Sequence, residues 1–437
     1  MDKPPFIRVW KASELPPEWI RKRRIMGEEL TEDLETQVKA IIDEVRKRGD
    51  SAVNEFSKKF DKVNLTAKNF RVTKEEISNA YSLVSEEQIS TIESLSKKIE
   101  EVEKRLLKQI KITIENGVKI RSLPIPIQSV GCYVPGGEAA YPSTLVMTVT
   151  PAKVAGVPRV AVCSPPTSRG EINPLTLVAA DICEADEIYK IGGSQAIAAL
   201  AYGTESIKPV NKIIGPGNKY VTIAKLLVSR NVAIDMPAGP SEILILADET
   251  ADPQIIALDM ISQAEHGADS ISGLATTSKK LAENVFKELE ARVPSLRRSK
   301  IIADALSRNG FIIVCKSLNE AIDFVNTFAP EHLEIIIAKK AGKIAEKVTS
   351  AGIILVGQYT PVSASDYCIG TNHVLPTSGY GHAFSCLSVL DFVKRINVVE
   401  CSKESLLRLR KNVKVLAEAE NLPNHFLAVE GRFKIER

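Results

Sequence analysis

Residues 159–193 read RVAVCSPPTSRGEINPLTLVAADICEADEIYKIGG. RVAVCS and EIYKI are short apolar runs rich in β-branched residues, and PLTLVAADICEA between them has the length and composition of a helix. Strand, helix and strand in succession make a crossover unit, which lays its two strands parallel. The same alternation runs outward from this stretch. GCYVP (131–135) precedes it, and KIIG (212–215), AIDM (233–236), EILILA (242–247), ISGLATT (271–277), FIIVC (311–315) and IILVG (353–357) follow, with helical runs such as SQAIAALAYG (194–203) between. Parallel sheets covered by helices on both faces are predicted. The strands are too many for one mononucleotide-type sheet. Two α/β units are expected, with a boundary near the PAGP of Pro237 to Pro240.

Upstream, from Asp33 to about Gln109, the apolar period is helical. Val38, Ile41, Ile42 and Val45 form one stripe, as do Ile89, Ile92, Leu95 and Ile99. Gly49-Asp50 reads as a helix stop and restart, and Asn116-Gly117 as a hairpin turn. Downstream, Ser402 to Arg437 is helical and basic. The first residues are charged and Pro-rich without an apolar signal core, and no apolar stretch reaches the ~20 residues of a spanning helix. A soluble, cytoplasmic protein is expected. A net charge of +3 on 437 residues is too small to mark a nucleic-acid or membrane-surface partner.

Seven cysteines, an odd number at wide spacings with no CxxC pair, argue against a disulfide framework or a Cys-rich zinc site. Cys163 and Cys315 fall in apolar runs and read as small core hydrophobes. Glycine turns follow three apolar strands, at 134–137, 191–193 and 215–218. Beyond the carboxyl ends of parallel strands such turns either cradle a cofactor or simply connect strand to helix. The GxGxxG fingerprint is absent. Five histidines occur. Gln263 and His266 share a helix face, a spacing that suits two ligands of one ion, although an exposed QxxH is more often plain surface. Glu331-His332 after Pro330 offers two general bases, or merely an acidic helix start. Asp366 to His373 opens a long Gly-containing loop, and loops of that length are usually functional. Gln, His, Asp and His together supply the nitrogen and oxygen donors that zinc accepts.

SVGCYVPGG, GGSQAIAALAYGTES, KIIGPGNKYVT, AIDMPAGPSEILILAD, SQAEHGADS, APEHLEI and DYCIGTNHVLPT, in this order, resemble histidinol dehydrogenase from about residue 30 to the C-terminus. The resemblance implies two Rossmann-like α/β domains with parallel-rich sheets, plus small N-terminal and C-terminal helical elements. It places a helical segment at 1–27, a first α/β domain with the substrate and zinc site at 28–133 and 241–387, an NAD-binding domain at 134–240, and a dimerisation element at 388–437. It implies oxidation of L-histidinol through L-histidinal to L-histidine, with NAD and one zinc ion per subunit, in a homodimer with shared active sites. Gln263, His266, Asp366 and His425 match the zinc ligands, with His332 as general base and Glu331 activating water. Ser241, His373 and Glu420 match further substrate contacts, and Tyr133, Gln195 and Asn218 match NAD contacts.

The chain departs from the family pattern in three places. Pro361-Val362-Ser363-Ala364-Ser365-Asp366 stands where Pro-Glu-Ser-x-Gly-Asp is usual, so a carboxylate and a glycine are lost. Gly267-Ala268-Asp269-Ser270 replaces Gly-Pro-Asp-Ser, and Asn421-Leu422 replaces Gly-Leu, where Asn tolerates a left-handed turn. Two rival readings are a zinc and NAD dehydrogenase of another amino alcohol or polyol, and a zinc hydrolase or metal-binding module. The second gives the glycine turns no purpose.

Overall fold

Strand pairing sorts the apolar runs into two parallel sheets of one design. The computed structural model describes residues 6–15, 32–136 and 140–434. A four-residue strand, β1 (Arg8–Lys11), comes first. Helices α1 (Glu32–Arg48), α2 (Asp50–Phe60), α3 (Lys74–Tyr81) and α4 (Glu86–Gln109) follow. Gly49, at φ 55°, separates α1 from α2. Thr73 and Ser85 begin α3 and α4 with capping boxes closed by Glu76 and Gln88. The hairpin of β2 (Ile112–Glu115) and β3 (Val118–Pro126) turns at Asn116-Gly117.

The first α/β unit then winds through β4 (Val130–Tyr133), α5 (Pro142–Ala155), β5 (Val160–Ser164), α6 (Pro174–Ile182), β6 (Glu187–Lys190), α7 (Gly193–Tyr202), β7 (Lys212–Ile214), α8 (Lys219–Val228) and β8 (Ala233–Ile234). Its strands lie in the order β6-β5-β4-β7-β8, all parallel. The second unit comprises β9 (Glu242–Ala247), α9 (Pro253–Ala264), β10 (Ile271–Thr276), α10 (Lys279–Arg292), α11 (Ser299–Asn309), β11 (Phe311–Val314), α12 (Leu318–Phe328), β12 (His332–Ile336), α13 (Ala341–Ala345) and β13 (Ile353–Val356). Its order is β1-β11-β10-β9-β12-β13, again all parallel. In both sheets the first-formed strand is central, the next two lie on one side and the last two on the other. β1 is an addition at one edge of the second. All six residues of β9 are buried, and each apolar one contributes about 1.5–3 kcal/mol by leaving water. A short helix, α14 (Val362–Tyr367), and an irregular stretch lead to β14 (Val393–Cys401), which pairs antiparallel with β3. The chain ends in α15 (Lys403–Ala419) and α16 (Pro423–Lys434).

The α/β class, the parallel sheets and the C-terminal helices are as expected, and the sheets change over at Pro237–Pro240. Other expectations are corrected. The helices of residues 32–109 pack mainly on the five-stranded sheet and not on the six-stranded one, although α4 also meets Val374 and Leu387. Val38, Ile42 and Val45 of α1 share a core with α7 and Ile213, and Ile92, Leu95 and Ile99 of α4 share one with α5. β4 hydrogen-bonds to β5 and β7. The amphipathic helices needed an apolar surface, and the five-stranded sheet offered one next to them in sequence. Of the helical segment expected over 1–27, residues 8–11 are instead a strand, and 16–27 lie outside the described residues. Within 388–437, residues 393–401 are a sheet strand. No helix among the described residues is long and apolar enough to cross a membrane.

Candidate active site

The chemistry-bearing residues of the second unit gather at the amino edge of its sheet, not the carboxyl edge that open α/β sheets usually offer. His332 and Glu242 are the first residues of β12 and β9, and they pair with adjacent strand positions. Gln263 lies in the last turn of α9, and His266 lies in the turn that leads to β10. α14 folds back after β13 and brings Asp366. Asp366 therefore stands on a helical turn and not in an open loop.

Glu331 and His332 are both buried. The Glu331 carboxylate accepts the Glu242 backbone N–H at 2.7 Å and lies 3.5 Å from His332 Nδ1. That nitrogen is 3.0 Å from the Glu242 carbonyl oxygen, which can only accept. A proton therefore sits on Nδ1, and in the neutral imidazole Nε2 presents a lone pair. Nε2 points toward Asp366 Oδ1 at 3.6 Å, and both atoms are buried without a hydrogen-bond partner. His373 Nδ1 is 3.0 Å from the Asp366 carbonyl oxygen, and its Nε2 is 3.4 Å from Thr144 Oγ1 of the first unit. Asn372 also reaches across, donating to the Met147 carbonyl at 2.7 Å, so the site lies where the two units meet.

Burial alone would lower the His332 pKa. The Glu331 and Asp366 carboxylates overcome that and hold it well above the ordinary imidazole value. Burial raises Glu331, with His332 pulling the other way. Asp366 is lowered, because His332 outweighs its burial. His266 keeps an open face to solvent. The surrounding protein lowers its pKa, and Asp366 opposes that shift. Burial likewise lowers His373.

Ser241 immediately precedes Glu242, and its carbonyl accepts the Ile271 N–H at 2.9 Å. Gln263 is buried. Glu420 and His425 are exposed on the α15–α16 hairpin and make no described contact with the other site residues. Asn421 between them adopts φ 58°, the left-handed turn expected of it. Among the described residues, no group of three or more His, Cys, Asp and Glu converges as a metal site within one chain. The donor set nonetheless fits an ion. Asp366 Oδ1 is an orphaned buried acceptor, and the amide of Gln263 and the imidazole of His266 are of the right chemistry. Cys315 is buried and its thiol is pushed up to about 12, which removes it as a nucleophile.

The sequence reading missed Glu242. Its carboxylate accepts the backbone N–H of Ser378 at 3.0 Å and of Glu331 at 3.4 Å, which fixes the start of β12. The signal was there: an acid opens an otherwise apolar strand, and a fully buried acid needs a task.

At the carboxyl edge of the first sheet, the three other candidates line the point where strand order reverses. Tyr133 ends β4, and its hydroxyl accepts the Gly193 N–H at 3.1 Å. Gln195, one turn into α7, is buried with its amide nitrogen 3.5 Å from Asp61 and its amide oxygen unpaired. Asn218 caps α8 through the Tyr220 and Val221 N–H groups. Gly215, at φ 117°, is pinned by Asp235, which accepts its N–H, and by Lys225, which donates to its carbonyl. A side chain there would place Cβ 2.0 Å from the Tyr133 carbonyl oxygen.

The histidinol dehydrogenase family model matches residues 25–433. The chain belongs to this family. It is therefore an oxidoreductase of histidine biosynthesis, a pathway in which the family oxidises histidinol. The histidinol dehydrogenase of Methanosarcina mazei is 44% identical over 403 residues, 92% of each chain. That of Clostridium acetobutylicum is 46% identical over 409 residues, covering 93% of this chain and 94% of its own. The crystal structure of histidinol dehydrogenase from Elizabethkingia anophelis superposes with a TM-score of 0.92 at 37% identity over 99% of both chains. Against the family pattern, Val362 is buried among apolar side chains of the second unit, and Ser365 hydrogen-bonds Thr371 at 2.9 Å, so both departures have partners.

Proposed function

We propose that the chain, in the cytoplasm, oxidises L-histidinol through L-histidinal to L-histidine, passing two hydrides to two NAD molecules in turn. The observation that carries this reading is the buried pair of facing, partnerless atoms, His332 Nε2 and Asp366 Oδ1, beside the Glu331 carboxylate. Gln263, His266, Asp366 and His425 of the partner subunit would hold zinc, which when bound supplies a Lewis acid and a fixed anchor for the substrate nitrogens. Tyr133, Gln195 and Asn218 would hold NAD, the hydride acceptor.

His332 Nε2 takes the proton of the substrate hydroxyl as hydride leaves its carbon, giving the aldehyde. Glu331, as the carboxylate, takes a proton from the water that adds to this aldehyde. His332 takes a proton from the resulting hydrate as the second hydride leaves, giving the carboxylate. Ser241, His373 and Glu420 of the partner subunit line the substrate. Exposed Leu407, Leu416 and Leu427 on α15 and α16, and Leu422 in the turn between them, support a homodimer that covers them.

The test is NADH formation from L-histidinol. Stripping zinc should abolish it and adding zinc should restore it, and His266→Ala should lower the bound metal measured by elemental analysis. Full activity in metal-free protein would overturn the reading. At the other edge, Gly215→Ala forces a side chain into a left-handed position against Tyr133. NAD binding should weaken by about tenfold or more, with a smaller change in the KM for histidinol. Equal effects on both substrates would remove NAD from that edge.

A further inference from the structure

Behind the Gly215–Asn218 turn lie two buried, oppositely charged side chains, Lys225 at 3% exposure and Asp235 at 5%. Lys225 is on α8, the helix that Asn218 caps, and Asp235 directly follows β8. Asp235 Oδ2 accepts the Gly215 N–H at 2.7 Å. Asp235 Oδ1 is ion-paired with Lys225 Nζ and has no other partner among the described residues. Lys225 Nζ in turn donates to the Gly215 carbonyl at 2.9 Å and reaches the Met236 carbonyl at 3.5 Å. One ion pair thus takes up both the N–H and the C=O of Gly215. It closes a ring that joins α8, the end of β8 and the turn after β7. A buried ion pair is a poor source of stability. Taking two charges out of water costs much of what their attraction returns, and apolar side chains of similar volume often serve a fold as well. Apolar side chains cannot, however, hold a residue by its N–H and its carbonyl. Gly215 needs such a hold. At φ 117° it sits where glycine is the readiest occupant, and glycine has the most freedom to leave.

We propose that Lys225 and Asp235 are positioning residues for the cofactor, whose ion pair locks the Gly215 turn and the Asn218 end of α8 in the shape that receives NAD. This rests on the reading that NAD binds at that edge. Lys225 acts through the turn and not by touching the cofactor. An ammonium has three N–H donors, and three acceptors stand around this one: Asp235 Oδ1 and the carbonyls of Gly215 and Met236. None is left for a cofactor phosphate.

The experiment measures NAD dissociation constants by titration calorimetry, at low and at high salt. It uses the full chain loaded with zinc, as wild type, Gly215→Ala, Lys225→Met/Asp235→Leu and Lys225→Met/Asp235→Asn. Circular dichroism checks folding, and zinc content and the KM for histidinol report on the other site. The Met/Leu pair frees both groups of Gly215 without stranding a charge. It should weaken NAD binding by about tenfold or more, the scale set by leaving two backbone groups of the turn unpaired. Zinc content and the KM for histidinol should stay within about threefold. The Met/Asn pair keeps an acceptor for the Gly215 N–H and should lose less, though at least about threefold. Should the Met/Leu pair fail to fold, the Met/Asn pair decides. The loss should be the same factor at both salt concentrations, because the cofactor meets neither charge. Wild-type NAD affinity in the folded pair variant, with weakened binding in Gly215→Ala, would overturn the clamp. So would a loss confined to low salt, which would make Lys225 a direct phosphate contact. Wild-type affinity in the pair variant and in Gly215→Ala alike would overturn the placement of NAD at this turn, and the clamp with it.

Discussion

Replacing Glu331 by glutamine is expected to slow oxidation of histidinal by ~100- to 10,000-fold, with a much smaller effect on oxidation of histidinol. The amide keeps the size of the side chain, and its oxygen can still accept the Glu242 N–H, so β12 starts where it did. It has no basic oxygen for the proton of an attacking water. Only the second half-reaction needs that water, because the first requires removal of the alcohol proton alone, the task proposed for His332. The two half-reactions are measured separately, by supplying each substrate and following NADH. Equal and small losses in both would reduce Glu331 to a residue that shapes the strand start.

Mixing His425→Ala subunits with His266→Ala subunits should restore activity that neither possesses. His425 stands exposed on a hairpin that packs little against its own sheets, whereas His266 lies at the amino edge of the second sheet. If a two-fold dimer shares its sites, each mixed pair rebuilds one complete ligand set and leaves the other doubly broken. Random exchange then recovers about a quarter of the wild-type rate, since half the dimers are mixed and each has one working site. Exchange is proved independently with differently tagged chains. Proven exchange with no recovery would mean that each chain completes its own site.

Most strands were legible because parallel strands buried on both faces are continuous apolar runs, as in EILILA and FIIVC. β12 was not. It begins with an imidazole and carries a carboxylate in the middle, HLEII, so its polar content hid a strand that is buried throughout. β14 was missed for the opposite reason. Its nine residues are half-buried or exposed, and VKRINVVEC shows neither an apolar run nor a clean alternation. The packing of the N-terminal helices could not be read either, since an amphipathic stripe says that a face is buried but not against which sheet. Within the site, the residue types and the order of motifs were visible, and so were the Gly turns around Tyr133 and Asn218. The edge of the second sheet was not. General experience with α/β proteins favours the carboxyl ends of strands, and only the strand directions show that Glu331 and His332 lie at the opposite end. Glu242 was passed over because a single acid beside an apolar run carries no motif; its task appears only when the neighbouring backbone N–H groups are in view.

β1 pairs with β11, with Arg8 beside Phe311 and Lys11 beside Val314. A chain emerging from a ribosome makes this strand first and its neighbour about 300 residues later, which at ~5–20 residues per second is a wait of at least ~15 seconds. Everything needed for the first sheet, from α1 to β8, emerges in that interval as one continuous stretch and can fold as a unit. The second sheet is complete only after synthesis has passed β13, and β1 can be seated no earlier than β11. A nascent chain paused anywhere before β11 therefore carries β1 as an unpaired strand. The length of that pause, rather than the stability of the finished fold, sets how long the strand is open to capture by another chain.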